Sequence, residues 1–284
     1  MTNTTSASRT SVDLDELIAS ARELSLAARW PRALALLDST AVTESADRAR
    51  LALAAAEVAL ESDWFAGTDL TPARVGAAAQ LLPEDDWDLG FARLRHTYFG
   101  LLRIDGTVCF GPDGKDPEAL AAVRREVYAL RDRSPDVVRG GWASMYLGLI
   151  TDNHFGEGDA AAAHYTAALE AGESGADPLL AREALRHLGG HAHATGDQDR
   201  ALERWRRATE LGAGAGNLPG TLSQQLLLAM LARDTGDEPG ARALATEVAR
   251  WAGAIGADRL NAQATAFLAG IDPMGSPKED ESVG

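Results

Sequence analysis

Three histidines occur within seven residues, in the stretch RHLGGHAHATGDQDRALERW at 186–205. His187 and His191 are one helical turn apart, whereas His193 lies about 200° further round the helix from His191. A zinc site requires three or four converging ligands, and the sequence contains neither an HExxH motif nor a second cysteine. We therefore expect no metal here. A metal- or histidine-dependent enzyme is the least favoured of three hypotheses.

Other chemical motifs in the sequence are incomplete. The glycine-rich stretch GAGAGNLPG lacks the GxGxxG spacing of a dinucleotide site, and GPDGKD lacks two residues that a phosphate-binding loop requires. No GxSxG motif occurs, and the single cysteine, Cys109, has no neighbours that indicate a nucleophile. We expect a protein that is not an enzyme and carries no cofactor.

The composition indicates closely packed helices. Hydrophobic residues make up 45% of the chain but aromatic residues only 6%, so alanine and leucine must form most of the core. A net charge of −15 argues against nucleic-acid binding, which requires a basic surface. No apolar run approaches the roughly 18 residues of a membrane helix, and the N-terminus is unlike a signal peptide. These features, with the lone cysteine, predict a cytoplasmic protein without membrane contact.

A 40-residue repeat is visible in the second half of the chain. Gly156, Gly196 and Gly236 are spaced by 40 residues, and each lies between an apolar segment and an alanine-rich segment. In the middle repeat, Leu188 and Gly189 precede the turn, and Ala201, Trp205 and Ala208 follow it. The first repeat has Tyr165 where the second has Trp205, and the third has Ala245.

This pattern resembles the tetratricopeptide repeat, a helix–turn–helix unit with small residues and one aromatic at fixed positions. The resemblance implies an all-α, right-handed solenoid of stacked helix pairs. The usual unit has about 34 residues, and we expect the extra residues in loops such as GAGAGNLPG. Trp205 is expected to fill the space between neighbouring units, and Ala245 fits a terminal repeat.

The sequence predicts four regions. Residues 1–10 and 273–284 are expected to be disordered tails. Residues 11–135 should form divergent helical repeats, interrupted by an irregular loop at 104–117. Within that loop TVCF allows a short hairpin, but two Asp-Gly pairs and a proline favour a structured loop. Residues 136–272 should form three clearer repeats and a C-terminal helix.

The resemblance also implies a concave groove, lined by the first helix of each unit, that binds a protein or peptide partner. A non-catalytic scaffold or adaptor is the leading hypothesis. The alternative is a regulatory sensor that binds a small peptide or ligand, and a homodimer remains open. Pairing of these side chains with one another is an equally weighted alternative. The candidate groove residues are Trp142, Met145, Asp152, Asn153, Glu183, Arg186, His193, Arg233 and Asp234.

Overall fold

A computed structural model describes residues 12–104 and 107–271 of the protein. The predicted tails at 1–10 and 273–284 lie outside the described residues. The described part is almost entirely helical, which confirms the predicted all-α fold. Its helices are α1 (Leu14–Leu26), α2 (Trp30–Asp38), α3 (Ser45–Phe65), α4 (Thr71–Ala79), α5 (Trp87–Leu101), α6 (Pro117–Asp132), α7 (Val137–Asn153), α8 (Gly158–Ser174), α9 (Pro178–Ala194), α10 (Gln198–Gly214), α11 (Leu218–Asp234), α12 (Glu238–Ala254) and α13 (Asp258–Leu268). None of them is long and apolar enough to cross a membrane.

The predicted irregular loop contains a minimal hairpin. Strand β1 (Arg103–Ile104) pairs antiparallel with β2 (Thr107–Val108), so the hairpin that the sequence allowed is present within the loop. The segment then returns to α7, where the Gly111 amide donates to the Asn153 carbonyl over 2.9 Å. Helix α6 begins at Pro117, and the Asp116 side chain accepts a hydrogen bond from the Glu118 amide.

Six consecutive helices, α7 to α12, have 17 residues each. Three-residue connections join them, except for four residues between α7 and α8, and this arithmetic produces the 40-residue period. The extra residues therefore lie in lengthened helices. The prediction that GAGAGNLPG is a loop holding them is wrong, because Gly212 and Gly214 belong to α10. Gly196, with φ of 81°, supplies the left-handed residue that ends α9.

Size-matched pairs hold each unit together. A Cβ added at Gly148 would lie 2.5 Å from Tyr165, and one at Gly189 would overlap the Trp205 ring. The glycine in the first helix thus makes room for the aromatic ring in the second. The Trp205 ring packs against Gly189 of its own unit, and it also belongs to an apolar cluster that includes Leu222 and Leu226 of the next unit. In the third unit Ala245 replaces the aromatic residue, and it is fully buried.

The last helix returns to the beginning of the array. Arg259 of α13 donates a hydrogen bond to the Asp63 carbonyl of α3, and its side chain also covers Gly67. One apolar cluster accordingly includes residues of α1 to α3 together with residues of α9 to α13. The chain therefore curls into a nearly closed circuit, whose inner layer consists of α3, α5, α7, α9, α11 and α13.

Candidate ligand-binding channel

The inner helices contact one another in succession, and α13 contacts α3; we call the space between them the central channel. Neighbouring packed helices lie about 8–10 Å apart, so six in a ring place each axis about 8–10 Å from the centre. A helix with its side chains has a radius of about 5–6 Å. Idealised packing of this kind leaves about 4–10 Å between opposite helices.

All nine predicted groove residues lie on the first helices of their units, α7, α9 and α11. One of them cannot contact a ligand. Met145 is fully buried, in an apolar cluster with Ile150 and Leu180. The expectation that it forms a surface patch is therefore wrong, because its position on α7 faces the neighbouring helices.

Several of the predicted residues are engaged by other parts of the protein. Trp142 Nε1 donates to Asp177 Oδ2 over 2.9 Å, next to the start of α9. The Arg233 guanidinium lies 3.6 Å from the centre of the Phe267 ring and donates to that residue's carbonyl. Both contacts join successive inner helices.

Two more predicted residues form one bridge between helices. His193 Nε2 of α9 lies 2.8 Å from Asp234 Oδ2 of α11. Asn153 Nδ2 instead donates over 2.7 Å to the Tyr98 hydroxyl of α5. These contacts hold neighbouring inner helices together. They also leave fewer side-chain hydrogen-bonding groups for a ligand.

The three histidines of the opening motif have separate carboxylate neighbours. His187 Nε2 lies 3.5 Å from Glu183, and His191 Nε2 lies 3.2 Å from Asp152, while His193 pairs with Asp234. Within the described ranges, no three histidine, cysteine or acidic side chains converge in a way that would hold a metal ion. The histidines are distributed along α9 as individual contacts.

Asp152 remains ionised despite its surroundings. Burial alone would raise its pKa, but His191, His187 and the Tyr165 hydroxyl together lower the pKa below the ordinary value for aspartate. The Tyr165 hydroxyl donates to Asp152 Oδ2 over 3.3 Å. Asp152 therefore links the second helix of its unit to α9.

A charged cluster occupies the middle of α9. Glu183 accepts a hydrogen bond from Arg182, which also donates to the Gly220 carbonyl of α11 over 2.7 Å. Burial raises the pKa of Glu183, but Arg182, His187 and Arg186 outweigh it and hold the pKa far below the ordinary value. Glu183 is therefore an anion in the folded protein, stabilised mainly by Arg182 and His187.

Glu183 is strongly desolvated and yet not sealed from solvent. Burial is the largest single influence on its pKa, although 24% of its side chain remains accessible. A side chain on an open surface keeps its hydration, and one in a dry core has no accessible area. Glu183 therefore occupies a half-buried position of α9 that solvent still reaches.

Sequence reasoning missed the residues on the opposite wall. Arg95 of α5 donates to Glu61 of α3 over 2.6 Å and to the Tyr146 hydroxyl over 3.0 Å. The rings of Tyr98 and Tyr146 meet edge to face at 5.4 Å. Burial raises the pKa of both tyrosines, and the Glu183 carboxylate adds to this effect. Glu61, Arg95 and Tyr98 come from α3 and α5, which have no repeat signature, whereas Tyr146 lies on α7.

The structure and the repeated pairs define the protein as a tetratricopeptide-like helical repeat protein, as the residue pattern indicated. No protein-family model matches the chain, and no curated protein matches it in sequence.

The fold resembles that of a solved Rap protein, whose structure was determined in complex with competence and sporulation factor. The match has a TM-score of 0.60 at 9% sequence identity, and it covers 90% of this chain and 69% of the Rap chain. At this identity, the match establishes a shared helical repeat fold.

Proposed function

We propose that the protein is a non-catalytic binding protein that holds an extended peptide segment of a partner in the central channel. The observation that carries this proposal is the contact of α13 with α3, where Arg259 donates to the Asp63 carbonyl. This closure converts an open groove into an enclosed channel with charged and aromatic walls. Binding on a preformed surface requires little rearrangement.

The width of the channel selects the form of the ligand. A helix is about 10–12 Å across with its side chains, which is at least as wide as the roughly 4–10 Å that idealised helix packing leaves between opposite helices. An extended chain is thinner and presents its side chains alternately to opposite walls. The similarity to a Rap protein solved with a bound factor is consistent with this kind of ligand.

A regulatory sensor is the second candidate, and the same closure favours it. The circuit closes through the contact of Arg259 with Asp63 and Gly67 and through the apolar cluster shared by the two ends of the array. A ligand that touches both ends would change how often it closes. A ligand-dependent change in the radius of gyration, measured by small-angle X-ray scattering, would distinguish the sensor from a rigid scaffold.

Affinity selection tests peptide binding directly. The full chain is immobilised and incubated with a random hexapeptide library, and the retained peptides are identified by mass spectrometry. Ser223 occupies on α11 the position that Glu183 occupies on α9, so Ser223→Trp should obstruct the channel. Retention should fall at least tenfold.

Ala243→Trp is the matched control, because Ala243 is exposed on the outer helix α12. It should retain the same peptides as the wild type. Equal retention by Ser223→Trp, with both variants showing unchanged circular dichroism, would place binding outside the channel. Failure of the wild type to retain any peptide would contradict the proposed function.

A further inference from the structure

The amine of Lys115 lies against the end of α7. The Lys115 side chain is partly exposed, and its Nζ atom is 3.0 Å from Nδ1 of His154. The same Nζ atom donates to the Asn153 carbonyl over 3.5 Å, and that carbonyl also accepts from the Gly111 amide over 2.9 Å. Two hydrogen bonds to one carbonyl therefore hold the segment before α6 against α7.

The partners of this amine do not neutralise a positive charge. One is a neutral carbonyl, and the other is the imidazole of His154, which is itself a base. His154 is fully buried, and its ring packs against Tyr98 of α5. Two basic nitrogens 3.0 Å apart cannot both be charged without strong repulsion. The contact therefore favours a neutral form of both groups.

The electrostatics agree with this geometry. Burial lowers the pKa of Lys115 below its ordinary value, and the Cys109 thiol opposes this effect only in part. Burial and Lys115 lower the pKa of His154 to about 4, so the imidazole is neutral at pH 7. Burial raises the pKa of Tyr98, so its hydroxyl is neutral as well. The neutral amine of Lys115 is thus more populated than that of an ordinary lysine at the same pH.

The choice of residue type points the same way. The chain has 27 lysines and arginines, and Lys115 is the one lysine among the residues that the structure describes. A guanidinium keeps its proton in proteins, whereas an amine can lose its proton and become a nucleophile. A lysine in a chain that otherwise uses arginine suits a role that requires the neutral amine.

We propose that Lys115 is a modification site at which a small acyl phosphate acylates the amine and removes the positive charge beside His154. The neutral amine attacks the acyl carbon, so an N–C bond forms and the bond from that carbon to the phosphate oxygen breaks. Phosphate leaves with the bonding electron pair, and the amine proton passes to water. The amide that results carries no charge. This inference is independent of peptide binding in the central channel.

Competition between two amines of one chain tests the proposal. Arg206→Lys introduces a reference amine at an exposed position of α10. The folded variant is treated with acetyl phosphate near neutral pH, the remaining amines are blocked with deuterated acetic anhydride in guanidinium chloride, and mass spectrometry gives the acetylated fraction at each site. Lys115 should react about threefold faster or more, since each unit of pKa changes the neutral fraction about tenfold.

Two comparisons connect the rate to the folded site. The advantage of Lys115 should disappear when the variant is unfolded in guanidinium chloride before acetylation. In the folded variant, the rate at Lys115 should reach its plateau at a lower pH than the rate at the reference amine. Equal or slower acetylation of Lys115, or the same pH profile at both amines, overturns the proposal.

Substitutions of Lys115 test the loss of charge beside His154. Lys115→Gln imitates the acylated amine, and Lys115→Arg keeps the positive charge. Repulsion from Lys115 is, after burial, the next cause of the low pKa of His154. Lys115→Gln should therefore lose less stability between pH 7 and pH 5 than the wild type, as measured by urea denaturation, whereas Lys115→Arg should lose as much. Equal losses in the two variants would contradict the proposed effect of acylation on His154.

Discussion

The two halves of the array are built by different rules. From α7 to α12 every helix has 17 residues. Two of the three units pair a glycine with an aromatic ring, and the third has Ala229 and Ala245 at the same positions. From α1 to α6 helix lengths range from 9 residues in α2 to 21 in α3, and a hairpin is inserted before α6. A regular region therefore continues from an irregular one without a break in helix packing.

The packing devices differ in the same way. The regular region uses a glycine against an aromatic ring within its first two units, as at Gly189 and Trp205. The irregular region stacks aromatic residues from different helices, with the Trp64 and Phe99 rings 4.6 Å apart. The first device is local in sequence, whereas the second joins residues far apart along the chain. The regular helix pairs thus pack by a local rule, and the irregular half packs through contacts between residues further apart in sequence.

Removing the large member of a unit should produce the largest effect. Trp205 is fully buried, and its Nε1 donates to the Arg186 carbonyl over 2.8 Å. Trp205→Ala should lower the free energy of unfolding by about 3–5 kcal/mol, as is typical of a buried tryptophan truncation. Urea denaturation followed by circular dichroism measures this change.

Trp251→Ala is the control within the same region, because Trp251 is 44% exposed on α12. Its loss should cost about 0.5 kcal/mol, as for most surface substitutions. Equal losses of unfolding free energy in the two variants would show that the buried Trp205 stabilises the regular region no more than an exposed tryptophan does.

The junction of the two regions should respond to acid. His154 follows α7 and is fully buried, with its Nδ1 atom 3.0 Å from Lys115 Nζ and its ring against Tyr98. Burial, reinforced by Lys115, lowers its pKa to about 4 from the ordinary 6.5. The unfolded chain therefore binds more protons between these values, so stability is complete above pH 6.5 and falls as the pH drops towards 4.

By this linkage His154 should account for about 2 kcal/mol of the stability lost between pH 7 and pH 5. Urea denaturation at the two pH values measures the loss. His154→Gln should reduce the difference between the two pH values by that amount, whereas His96→Gln, at an exposed position of α5, should leave it unchanged. If His154→Gln lost as much stability between pH 7 and pH 5 as the wild type does, protonation of His154 would not be the cause of the acid sensitivity.

How far the sequence predicts the structure depends on the region. The 40-residue spacing of Gly196 and Gly236 predicts the helix pairs, because each turn and each packing pair is encoded within one unit. The same local pattern cannot show that Met145 is buried while Arg186 is partly accessible. The burial of a side chain depends on residues of neighbouring helices. Around Met145 these include residues of α5, which has no repeat signature. The contact of Arg259 with Asp63 spans 196 residues, and nothing in the local pattern predicts it.

The smallest effects should separate two kinds of helical glycine. A Cβ at Gly189 would overlap the Trp205 ring, whereas one at Gly76, in α4 of the irregular region, meets no atom within 4 Å. Gly189→Ala should cost about 1 kcal/mol, since overpacking outweighs the better helix propensity of alanine. Gly76→Ala should stabilise the protein by about 0.5–1 kcal/mol, because only the propensity changes.

The double variant Gly189→Ala/Trp205→Ala reproduces the alanine pair that Ala229 and Ala245 form in the third unit. Without the indole ring, the added methyl group has room, so the double variant should be less destabilised than the sum of its parts. Urea denaturation of the wild type, the two single variants and the double variant measures this difference. If the changes in unfolding free energy were additive, Gly189 and the Trp205 ring would have no interaction energy. The matched sizes in successive units would then have no energetic basis.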